Sequence, residues 1–132
     1  MMLLDTDFAA IAGQHGIDTR LTLRSGDFLF REGDDAAALY IVVRGVLRVI
    51  SGSTVLETVR AGGIVGEMAI VDPGMPRSAS VIAGTYAELI EVDAAQFVAL
   101  VGAAPEFALE VMRVMSRRLR LMNRRYRPQA AW

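Results

Sequence analysis

Apolar positions recur along this chain with a helical period at both ends and a strand-like rhythm between them. Over residues 3–15, Leu4, Phe8, Ile11 and Ala12 fall on one face at helical spacing, and Gly13 and Gly16 mark the end of that element. From about residue 19 to residue 92 the apolar runs shorten and turn residues multiply. In TRLTLRSGD, Leu21 and Leu23 alternate with polar neighbours until Ser25-Gly26, and FLFREGDD turns at Gly33-Asp34. LYIVVRGVLRVI is apolar almost throughout and breaks at Arg44-Gly45, where the glycine predicts a bend or a hairpin. SGST turns into VLETVRAGG, and SASVIAGTYAELIEV supplies two more strands about Gly84-Thr85. Turns at roughly eight- to twelve-residue intervals suit a small all-β barrel or sandwich.

After Asp93 the period is helical again. Asp93 is placed to cap a short helix through Leu100 that Gly102 ends, and Pro105 opens a longer one to about Tyr126, stopped by Pro128. The long helix has two apolar stripes. Met112, Met115, Leu119, Met122 and Tyr126 are spaced 3-4-3-4, whereas Phe107, Val111, Val114 and Leu121 form a line on the adjoining face. The two stripes amount either to one broad core face or to a core face plus a seam for a second copy. Arginines 117, 118, 120, 124, 125 and 127 are assigned to the remaining surface. The expected organisation is one domain over residues 1–132: a helix at about 3–15, a β-barrel at about 19–92 and C-terminal helices at about 93–127.

Composition narrows the chemistry this scaffold can carry. The absence of cysteine removes disulfides, thiolate catalysis and zinc–thiolate sites, and a single histidine, His15, removes imidazole-based metal clusters within one chain. The chain is therefore expected to be a binding protein with no catalytic residues, metal or cofactor. No apolar run approaches the ~18 residues that span a bilayer, and Met1-Met2-Leu3-Leu4-Asp5 lacks the basic start of a secretory signal. No membrane contact and a cytoplasmic location are expected. Charge is divided unevenly: fifteen acidic residues against seven arginines give −8 over residues 1–112, and seven arginines with no acid give +7 over residues 113–132. A nucleic acid held by these last arginines is one reading, and a solvated helix face is the better supported one.

GEMAIVDPGMPRSAS, residues 66–80, sets Glu67 and Arg77 on either side of a stiff Asp72-Pro73-Gly74 turn, inside a mostly apolar run. A surface ion pair across the loop is one account. The other is a ligand with a hydroxyl and an anionic group. Gly66 and Ala69 let that ligand approach the backbone, and the amides near Met68 and Ala69 attract the anion. An ionised Glu67 accepts from a hydroxyl, while the Arg77 guanidinium takes two anion oxygens side by side, with Ser78 adding a donor and Ala79 leaving room.

The same residues carry a family resemblance. GEMAIVDPGMPRSASV resembles the phosphate-binding cassette of cyclic nucleotide-binding domains, and the likeness extends over nearly the whole chain through Gly26-Asp27, Glu32-Gly33-Asp34, Gly45 and Gly62. It implies a jelly-roll β-barrel with flanking helices, with Glu67 on the ribose 2′-hydroxyl and Arg77 on the cyclic phosphate. Gly66, Met68, Ala69, Ser78 and Ala79 complete the cradle. By the same likeness Val49 and Leu56 line base and sugar, a role that plain core packing would fit equally, and Asn123 reaches the purine edge unless it is simply exposed. The ligand implied is cAMP in preference to cGMP. Where relatives continue into DNA-binding or kinase domains this chain stops, so it resembles a free-standing sensor. Its C-terminal helix is expected to signal to a protein effector or to pair with a second copy.

Overall fold

Two four-stranded antiparallel sheets form the middle of the chain in the computed structural model, which describes residues 7–126. The order is α1 (Phe8–Gln14), β1 (Thr19–Leu23), β2 (Phe28–Phe30), β3 (Ala38–Arg44), β4 (Val46–Ser51), β5 (Thr54–Arg60), β6 (Ile64–Val65), α2 (Met68–Val71), β7 (Ser80–Ala83), β8 (Ala87–Asp93), α3 (Ala94–Ala103) and α4 (Pro105–Tyr126). One sheet runs β1-β8-β3-β6 and the other β2-β7-β4-β5. This is the expected jelly roll, although its two sheets do not join into one closed barrel.

The apolar run from Leu39 to Ile50 crosses between the sheets. Gly45 separates β3 from β4, which belong to different sheets, so the break is a corner rather than a hairpin. Its φ of 93° and the Tyr86 carbonyl oxygen, which a Cβ would overlap, leave only glycine there. The corner from β7 to β8 packs against it: the Val46 amide donates to Thr85 Oγ1 (3.0 Å) and the Gly84 amide to the Val46 carbonyl (2.8 Å).

β3 and β8 read as nearly continuous apolar runs because both of their faces are covered. Val42, Ala87 and Leu89 face the inter-sheet core with Leu47, Val59, Val81 and Ala83 from the opposite sheet. Leu39, Ile41, Ile90 and Val92 face the helices, where Phe8, Leu100, Phe107, Val111 and Val114 complete a second core. The Phe107 ring meets Phe8 edge-on at 5.1 Å and Phe97 at 5.7 Å, tying α4 to α1 and α3.

Three expectations about the helices change. α1 begins at Phe8, where Asp7 Oδ1 accepts from the Ala10 amide (3.0 Å) and caps it; Leu4 lies outside the described residues. α3 opens on a reciprocal Asp93–Gln96 cap and then continues through Gly102 to Ala103, three residues past Leu100. Gly102 does not take the positive φ that would end a helix, so termination falls to Ala104 and to Pro105, which cannot extend the ladder. On α4, Phe107, Val111 and Val114 are buried as expected, but Leu121 is not. Arg127 and Pro128 lie outside the described residues.

Candidate functional site

Gly66 ends β6 with a φ of 80°, and a Cβ there would stand 2.7 Å from Arg77 Nη1. That empty space is what admits the Arg77 guanidinium. Nη1 donates to the Gly66 carbonyl (3.1 Å), Nη2 donates to the Ala38 carbonyl (2.8 Å), and Cζ stands over the Phe30 ring, 3.9 Å from its centroid. Backbone bonds from the Arg77 amide to the Asp34 carbonyl and from the Gly33 amide to the Arg77 carbonyl, both 2.8 Å, pin the returning arm of the cassette. Arg77 is only 7% exposed, yet it has no carboxylate partner among the described ion pairs, and its Nε is buried without an acceptor. Burial pulls its pKa down, opposed by the nearby Tyr40 and Glu67. A buried cation whose described hydrogen bonds go only to two neutral carbonyls keeps its charge available to attract an anion.

Glu67 is also buried, at 3% exposure, but its partner is not Arg77. Arg118 of α4 reaches down to it, Nη1 to Oε1 at 2.5 Å. The same guanidinium donates through Nε to Glu57 Oε1 (2.6 Å) and through Nη2 to the Ile64 carbonyl (2.6 Å). Burial would lower its pKa, but the Glu67 and Glu57 carboxylates outweigh that and hold it above the usual guanidinium value. This corrects the assignment of Arg118 to the outer surface: one side chain joins β5, the β6 edge and the cassette to the last helix.

Around these groups lies one continuous cleft. Its narrower part, about 200 Å³, is bounded by the Gly66–Ala69 and Pro76–Ala79 arms; its wider part, about 640 Å³, opens between Val49, Leu56 and Met68 on one side and α4 on the other. The structure brings together Gly66, Glu67, Met68, Ala69, Arg77, Ser78, Ala79, Val49 and Leu56 along its walls. Asn123 is left out: it is half-buried on α4 and does not line the cleft. The Ala69 amide is occupied by the Gly66 carbonyl at 3.2 Å, so α2 adds less to an anion site than Arg77 does. Met112, Met115, Leu119 and Met122 supply the α4 wall, which gives the second apolar stripe a place facing the cleft. Among the described residues, no group of three His, Cys, Asp or Glu side chains is placed to hold a metal ion, and no helix is long and apolar enough to cross a membrane.

Comparison with known proteins agrees with this geometry. The model of the cyclic nucleotide-binding domain family matches residues 20–103. The Pycsar effector protein XpPycTIR of Xanthomonas perforans is 30% identical over 99 residues, covering 75% of this chain and 33% of the relative. The cAMP-activated global transcriptional regulator CRP of Salmonella typhimurium is 28% identical over 100 residues, covering 72% of this chain and 48% of that protein. The chain thus spans between a third and about half of these curated relatives. Among solved structures, the catabolite activator protein of Thermus thermophilus superposes with a TM-score of 0.76 at 28% identity, over 92% of this chain and 59% of that one.

Proposed function

The chain belongs to the cyclic nucleotide-binding domain family, and from that membership we propose that it is a regulatory module binding cAMP or cGMP in the cleft between the cassette and α4. The observation that carries this is Arg77, a buried guanidinium with no carboxylate ion-pair partner among the described residues and an orphaned Nε at the narrow end of the cleft. The cyclic phosphate supplies the missing negative charge. Glu67 accepts the ribose 2′-hydroxyl while Arg118 stays on its Oε1, so the sugar and α4 share one carboxylate. The base lies in the wider part, against Val49 and Leu56 on one side and the methionine-lined wall of α4 on the other.

Through that shared carboxylate, ligand occupancy biases where α4 rests, and α4 is the surface offered to an effector protein or a second copy. A ligand shifts this equilibrium only as far as its affinity differs between the two positions of the helix. Titration calorimetry with cAMP and cGMP tests the assignment. Arg77→Ala is expected to weaken binding by about 100-fold or more, because it removes the one described cation of the narrow part that is not already paired with carboxylates. Thermal unfolding of the variant shows whether it still folds. An unchanged titration for Arg77→Ala would overturn the site.

A further inference from the structure

We propose that Glu57 of β5 selects the base of the ligand by accepting a hydrogen bond from an amino group on its edge. The proposal rests on the cyclic-nucleotide reading above and concerns the wide part of the same cleft. Arg77 borders the narrow part, and Glu67 with Arg118 borders both, so a ligand held there by phosphate and sugar carries its base into the wide part. Glu57 lines the wide part and not the narrow one. Its side chain is 30% exposed, so the carboxylate is within reach of a ligand without being fully solvated.

That carboxylate is held in place and still has capacity to accept. Arg118 Nε donates to Oε1 at 2.6 Å, whereas the contact of Nη2 with Oε2 is 3.4 Å, longer than an ordinary N–H···O bond. The two oxygens of a carboxylate offer about four lone-pair positions, so one strong bond leaves most of them open. An acceptor already fixed by one partner loses little freedom on meeting a second. Charge favours the same choice. The described charged groups of the wide part are Glu57, Glu67 and Arg118, two carboxylates against one guanidinium. That surplus of negative charge repels ring nitrogens presenting lone pairs and attracts N–H groups. Ser78 and Ser116 stand on the same walls with hydroxyl hydrogens to donate, even though Ser116 Oγ accepts from Arg120 Nη1 at 2.8 Å. Acceptor atoms of the base therefore have partners of their own beside the carboxylate.

Calorimetry on the full chain with two matched pairs of probes tests this. cAMP and the cyclic monophosphate of unsubstituted purine riboside differ only by the 6-amino group, and cGMP and inosine 3′,5′-cyclic monophosphate only by the 2-amino group. In at least one pair the amino-bearing member is expected to bind about tenfold tighter or more, the scale of a hydrogen bond to a charged group. Glu57→Gln keeps an acceptor for Arg118 but removes the charge, and should shrink that ratio about threefold or more. A residue that only braced Arg118 would weaken both members of a pair alike and leave the ratio as it was. Where thermal unfolding shows that this variant does not fold, Glu57→Asp, which draws the carboxylate back by one methylene, is measured in its place. Neither pair reaching tenfold, or a ratio that the substitution shrinks by less than threefold, overturns the proposal and leaves the cyclic-nucleotide reading standing. Failure of all four probes to bind removes that reading, and this proposal with it.

Discussion

Arg118 occupies a position on α4 that an apolar side chain would fill in a helix used only for packing. Phe107, Val111 and Val114 are buried at 4- and 3-residue steps, and Arg118 is the next member of that series. A charge on the buried stripe was visible in the sequence. It went unread because six neighbouring arginines made it look like surface, and because Leu121 fitted the stripe equally well. Arg118→Ala leaves Glu67 buried without its cation, and we expect the protein to lose about 3 kcal/mol of stability, measured by urea unfolding near neutral pH. Tyr40, half-buried beneath Arg77, gives a pH signature. Burial first and the Glu91 carboxylate second raise its pKa above the usual 10.0, with Arg77 opposing. A phenol that holds its proton more tightly when folded contributes stability that is fully present below its unfolded pKa and is lost as pH rises through the folded value. Urea midpoints should therefore fall above about pH 10, and Tyr40→Phe should flatten that fall. That Glu67 and Arg77 stand on the walls of one cleft was legible from residue type and spacing, but the carboxylate's actual partner, 51 residues away, could not be found by local spacing.

At the scale of elements, the strands and long helices were legible because their apolar periods are strong. The two inter-sheet corners were not fully legible: a glycine between two apolar runs serves a hairpin and a sheet crossing equally well, and only the contact with Tyr86 distinguishes them. β6 escaped notice because two residues carry no period. Gly102 misled for a related reason, since glycine ends a helix only where the backbone turns left-handed, and here the next proline did the work. Phe107 joins three helices through ring contacts and is fully buried. Phe107→Ala should cost about 3–5 kcal/mol, read as a lowered denaturation midpoint. Because the inter-sheet core is separate from this one, near-ultraviolet signals from the helical side should be affected first.

Across the whole molecule, α4 belongs to two environments. Its first half is anchored in the helical core, while its second half stands over the cleft and is held down by Arg118. Binding of cAMP should slow hydrogen exchange in residues 115–124 more than in residues 107–114. The first half is already protected by its burial, so it has little left to gain. Hydrogen-exchange mass spectrometry with and without nucleotide checks this, and equal change along the helix would count against α4 as the responding element.

The triple contact of Arg118 has a consequence for any partner of this helix. Whatever takes α4 for itself must draw Arg118 away from Glu57, Glu67 and the Ile64 carbonyl and remove one wall of the cleft. Under the proposed function, such a partner would antagonise the nucleotide by withdrawing the α4 wall while leaving the cassette untouched. Linkage makes the effect reciprocal: the factor by which the partner weakens nucleotide binding is the factor by which nucleotide weakens the partner. On that proposed reading, one arginine would set the exchange rate between occupancy of the cleft and occupancy of the helix.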